Sequence, residues 1–328
     1  MLDNTFEPAE ADAVHDPVSG ADWHKKIKDK NKKTALIVAA AVLLLTIARV
    51  VSVRLYVDPE AHFYTAEAMR IFDYAMAAVV AGMYIVGCVV FYKYKIGANS
   101  HRYYAKSESF IQGTQTLVFT AAIAGCVLVA SAGFQIWNMI AEFGDGQSVV
   151  PYLRERLMDI FIFVTAVLSS VYFFRTAARD SDISAGAAKY SPIYSQWAIL
   201  LSMMPILWSF ANTFRIFFDM SRSINSPIRV YELMCFLALS LYFVSETRML
   251  VGRHGLAKYF TFAYIATLIT ALSAVPNLML SSFWIMQTND GPIVYAVQAA
   301  FILYMVARVY SQLRYGRFGL QPKDDDGE

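Results

Sequence analysis

Eight apolar runs, most near the roughly twenty residues a helix needs to cross a hydrocarbon layer of about 30 Å, recur along nearly the whole sequence and leave it few ways to fold. They are Thr34 to Tyr56, Ala68 to Tyr92, Thr114 to Ile140, Met158 to Phe174, Ile193 to Phe218, Val230 to Val244, Tyr259 to Trp284, and Ile293 to Gln312. Hydrophobic types make up 57% of the 328 residues, more apolar surface than one soluble core buries. In lipid the backbone has no water to bond to, so runs of this kind must close their hydrogen bonds internally as helices. The expected fold is all-α, a polytopic membrane bundle of eight transmembrane helices.

Charge sets the expected orientation. Lys25, Lys26, Lys28, Lys30, Lys32 and Lys33 precede the first run, which predicts a cytoplasmic amino terminus, and an even number of spans returns the carboxyl terminus to the same side. With that topology roughly twenty basic residues fall inside and about eight outside, as the positive-inside rule requires. The expected organisation is a disordered tail with a basic flank over 1–33, a four-helix half over 34–174, a cytoplasmic linker over 175–192, a second half over 193–312, and a cytoplasmic tail over 313–328. The plasma membrane is the expected location. The first span is too long for a signal-peptide core. Cys88, Cys126 and Cys235 lie inside apolar runs, where free cysteine behaves as a small hydrophobe.

Two helix-loop-helix stretches look alike. Arg54 and Asp58 end one run, and Arg70 and Asp73 open the next; Arg215 and Asp219, then Arg229 and Glu232, repeat the pattern. Spacings of three and four make each pair neighbours on a helix. Ser131 to Gln135 in the third run and Ser273 to Asn277 in the seventh each set a helix-weakening residue close to an amide. These matches predict a parallel four-plus-four repeat about an axis along the membrane normal.

Arranged by depth, Arg49, Asp73, Gln135, Asn138, Asp159, Asn212, Arg215, Glu232, Asn277 and Gln298 all fall in the outer third to half of their spans, whereas the inner halves read as mostly apolar or hydroxylated. Ionisable groups inside a membrane are functional by default. The expected ligand-binding set is therefore Arg49, Asp73, Gln135, Asp159, Asn212, Arg215, Glu232, Asn277 and Gln298. Arg49 is expected to pair with Asp73 across the first hairpin; the loop Asp58 to Tyr64 reads as an ordinary Pro turn with interfacial aromatics, with a lid over the cavity as the lesser alternative. Shallower members, Asn138, Arg154, Arg156, Asp219 and Arg229, are read as snorkelling to the interface. Glu246, Arg248, Arg253 and His254 are read as topogenic charge.

The function expected from this pattern is an outward-facing charged cavity that binds or transports a small polar or amphiphilic ligand. The alternative is a non-catalytic scaffold or assembly factor whose outer charges lock helices or a partner. Sparse polar residues in the inner halves favour a sensor, a scaffold or a lipid-like ligand over transport of a polar solute. Enzymatic use of Asp73, Asp159 or Glu232 is the weakest reading. His15, His24, His62, His101 and His254 all lie in tails or loops, and no phosphate loop, zinc motif or nucleophile elbow is present. No cofactor, metal or nucleic acid is expected; the lipid bilayer is the expected partner.

Overall fold

In the computed structural model the expected runs are helices. Residues 20–58, 63–93, 114–143, 149–184, 196–219, 226–251, 256–282 and 291–315 are described. They form α1 (Gly20–Tyr56), α2 (Glu67–Lys93), α3 (Gln115–Glu142), the short α4 (Val149–Glu155), α5 (Leu157–Ser184), α6 (Gln196–Phe218), α7 (Pro227–Leu250), α8 (Leu256–Ser282) and α9 (Gly291–Tyr315). Eight of these, all but α4, are long and apolar enough to cross a membrane. Val57 and Tyr64 make an isolated antiparallel bridge that closes the α1–α2 loop. The face at which α1 starts is called the lysine face below, and the opposite one the far face.

Local chemistry explains the helix ends. The Thr114 hydroxyl accepts a hydrogen bond from the Leu117 amide at 3.3 Å and so caps α3. Pro227 stands at the start of α7, where its missing amide costs nothing. Within the spans, hydroxyls turn back onto their own helices: Ser169 bonds the Thr165 carbonyl at 2.6 Å and Ser209 bonds the Pro205 carbonyl at 2.8 Å. That is the cheapest way to bury a hydroxyl in lipid.

α1, α5 and α7 each run six or more residues further than hydropathy predicts. α5 continues to Ser184 rather than stopping at Phe174, and α7 to Leu250 rather than Val244. Residues 20–33, expected as part of a disordered tail, belong to α1. A charged side chain ends an apolar run without ending a helix, because the backbone bonds close regardless of the side chain.

Six spans form a closed ring in the order α3, α5, α6, α7, α8, α9 and back to α3, each packed on the next. α1 and α2 lie outside it and both lean on α8, touching each other only slightly. The two hairpins expected as repeats thus pack differently, since α6 and α7 lie along one another. Rings fill the ring's axis: Phe173 stacks on Phe301 at 5.3 Å, Phe243 meets Phe301 edge-on at 5.2 Å, and Trp208 meets Phe301 at 5.6 Å. All four are buried. Aromatic pairs in these geometries add to what burial alone supplies.

The most intimate contact in the ring, α3 on α5, depends on a small residue. A Cβ added to Gly125 would lie 2.9 Å from the Phe174 ring. Gly125→Val is expected to push that ring aside and cost about 1–3 kcal/mol by overpacking, read as a lower thermal midpoint in detergent. An unchanged midpoint would show that Phe174 swings freely into lipid.

Candidate functional site

The Arg49–Asp73 pair expected from the sequence is present, and it is the hub of the far face. Arg49 is 2% exposed and its Nη1 lies 2.7 Å from Asp73 Oδ1. The same nitrogen donates to the Tyr64 hydroxyl, Nη2 donates to the Pro227 carbonyl at 3.4 Å, and the guanidinium lies 4.0 Å from the centre of the Tyr231 ring. One arginine therefore ties α1, the α1–α2 loop, α2 and the start of α7 together. Burial pushes the Tyr64 phenol above its ordinary value, opposed by Arg49 and reinforced by Asp73, so the hydroxyl keeps its proton.

Beside this hub, α2, α7 and α8 enclose a pocket of about 640 Å³. Tyr64, Arg70 and Asp73 form its polar end, with the Phe63 ring beside them, and Val80, Met234, Ile269 and Leu272 line the apolar remainder. Arg70 is exposed at its rim. Of the loop Asp58 to Tyr64, Phe63 and Tyr64 line the pocket, held by Asp58 N–H to Phe63 C=O at 2.9 Å and Thr65 N–H to Tyr56 C=O at 2.7 Å. Residues 59–62 of that loop lie outside the described ones.

The other expected site residues do not join this pocket. Glu232 is buried inside the ring, where it accepts from Tyr295 of α9. Gln298 lies one turn along α9 and accepts from Ser273 of α8 at 3.4 Å. Asn212 is buried on α6, its Nδ2 bonded to the Trp208 carbonyl at 2.9 Å, and Asn277 is buried on α8. Together these amides and Glu232 make a polar layer in the far half of the ring. Gln298 Nε2, Asn212 Oδ1 and Trp208 Nε1 are buried there without a protein partner; such atoms ordinarily hold ordered water. Arg215 is half-buried near the end of α6.

Asp159 and Gln135 are elsewhere. Asp159 faces Arg156 at 3.3 Å on the far-face rim, and Arg156 also bonds Glu142. With the Tyr152 hydroxyl bonded to the Met139 carbonyl at 2.7 Å, these contacts fasten the α3–α5 turn. Gln135 is half-buried on α3, and its Oε1 has no protein partner. The expected single outer cavity is thus divided into a lateral pocket, an axial layer and a rim contact. Arg229, expected to snorkel, is instead 2% exposed and bonds the Phe217 carbonyl at 2.8 Å. A cation there satisfies a carbonyl in the last turn of α6.

The halves of the spans toward the lysine face, expected to be mostly apolar or hydroxylated, hold a buried ionic network. At the lysine face of the ring, Arg308 of α9 bonds Glu246 of α7 at 3.1 Å and Asp180 of α5 at 3.3 Å. Tyr304 donates to Glu246 at 2.5 Å and accepts from Arg308 at 3.1 Å. Tyr242 and Tyr259 pair beside them at 3.2 Å, and Arg179 approaches Asp180 at 3.8 Å from the rim. Glu246, read as topogenic, is a buried member of this network, while Arg253 and His254 lie outside the described residues. Asp180 and Glu246 fall past the predicted ends of their spans, at Phe174 and Val244, so hydropathy places both outside the membrane. The legible signal was Arg308, one turn inside the predicted last span.

Among the described residues no three His, Cys, Asp or Glu side chains come together as metal ligands would. Cys235 is buried and Cys126 exposed. The eight apolar helices are those of a multi-pass membrane protein. Compared with known proteins, the chain matches no family model, no curated protein and no solved structure.

Proposed function

We propose that this protein is a non-enzymatic receptor-like or transport protein of the plasma membrane, with both termini cytoplasmic, that binds a small amphiphile in the far-face pocket between α2, α7 and α8. The observation that carries the reading is the pocket's composition: a polar end with Arg70 and Asp73, and an apolar remainder. Its volume of about 640 Å³ lies within the roughly 300–1,000 Å³ usual for small-molecule sites. Arg70 suits an anionic group of the ligand, and Asp73 an ammonium group next to it. The apolar chain would lie along Val80, Ile269 and Leu272.

The test is ligand-induced thermal stabilisation of the purified protein by a short-chain phosphatidylethanolamine, with an uncharged amphiphile of equal length as reference. Arg70→Gln is expected to weaken binding about tenfold, the loss of one charge-assisted hydrogen bond. Wild-type stabilisation no greater than that given by the uncharged reference would remove the site. A scaffold is the second reading, favoured because Arg49 is saturated by groups of its own chain. On that reading Asp73→Asn lowers the midpoint and leaves amphiphile binding as it was.

A further inference from the structure

A second cavity, on another side of α8 from the far-face pocket, opens where α1 stands away from the ring. α1 leans on α8 and touches α9 at few points, and the gap between them is a crevice of about 940 Å³. Its walls are almost wholly apolar: Ala39, Val42 and Leu43 from α1, Val275 from α8, Ile302 and Val306 from α9. Its Thr267 hydroxyl is spent on the Ala263 carbonyl of its own helix at 2.7 Å. At the lysine face the crevice ends at Lys32, which is exposed, and at Tyr310. Lys25, Lys26, Lys28 and Lys30 precede it in the sequence.

We propose that this crevice is a binding site for one anionic glycerophospholipid, with its phosphate on Lys32 and its acyl chains between α1 and α9. Three observations select that occupant. Along α1 the crevice runs from Lys32 to Ile47, about 22 Å at 1.5 Å per residue, so it demands a long chain rather than a compact solute. An empty gap of that size would forfeit the dispersion contacts of every side chain lining it, and the solvent at that depth is lipid. Among the described lining residues the cation is Lys32, at the lysine-face end of the crevice, and a lysine near an anionic leaflet favours the charged lipid about fivefold. The site is independent of the far-face pocket, sharing none of its lining residues.

The experiment uses the full chain in lipid nanodiscs with spin-labelled phosphatidylglycerol or phosphatidylcholine, counting motionally restricted lipid. Wild type is expected to favour phosphatidylglycerol about fivefold, and Lys32→Gln to bring the ratio near one. Lys33→Gln, the adjacent exposed lysine outside the crevice, is expected to leave most of the preference. Ala39→Trp and Val306→Phe, either of which fills the crevice, are expected to remove the phosphatidylglycerol excess and leave the unselective lipid around the rest of the bundle; two variants guard against one that fails to fold. Equal restriction of both lipids by wild type would overturn the proposal. So would equal effects of Lys32→Gln and Lys33→Gln, since the basic segment would then act only as diffuse charge. A ratio change confined to Arg70→Gln would place lipid selection in the far-face pocket instead.

Discussion

Arg308→Met is expected to destabilise the bundle by about 3–5 kcal/mol, the cost of removing one partner from a buried ionic group. The reason is the company it leaves behind. Asp180 and Glu246 are almost fully enclosed, and their shared cation is Arg308. Without it two carboxylates are left at the lysine end of α5 and α7, with Tyr304 still bonded to Glu246 and Arg179 beside Asp180 at the rim. The measurement is the thermal midpoint in detergent, combined with a double-mutant cycle. Adding Glu246→Gln to Arg308→Met removes one stranded charge and is expected to recover a large part of the loss. Additive losses would mean that the two residues do not act as a unit. Replacing the whole network with apolar residues of similar volume is expected to cost far less than breaking it.

Arg49→Leu is expected to cost about 2–4 kcal/mol, because it removes an ion pair with additional hydrogen bonds and a contact over an aromatic face. Its structural effect is local. α2 meets α1 at few points and otherwise leans on α8, so the loss of Arg49 frees the α1–α2 loop. Amide exchange should rise at least tenfold at Asp58 and Thr65, whose amides close that loop, while the Tyr242–Tyr259 region stays protected. Arg49→Lys keeps the charge but not the planar fork, and is expected to fall between wild type and Arg49→Leu. Protection unchanged at Asp58 in Arg49→Leu would show that the Val57–Tyr64 bridge holds the loop alone.

The two networks differ in how far the sequence reveals them. Arg49 and Asp73 are 24 residues apart across a short loop, so the chain itself brings them together, and depth counting alone suggests the pair. Arg308 meets Glu246 across 62 residues and Asp180 across 128. No local rule selects those partners. The same distinction holds among the expected site residues: Glu232, Gln298, Asn212 and Asn277 share the far half of the ring, but nothing in their spacing separates them from Asp159, which fastens a surface turn. The resemblance between the two hairpins is one of short motifs. Their packing is set by what covers them, and α8 covers both α1 and α2.

Composition and the length of the apolar runs were enough to establish that this chain forms helices in a membrane, and how many, because lipid admits few ways to satisfy a backbone. Which helices close the ring, where the axis is filled by aromatic rings, and which charges share a buried network were decided only in three dimensions. Helix neighbours in lipid are chosen by side-chain fit and by pairing of polar groups, and both depend on residues far apart in the chain.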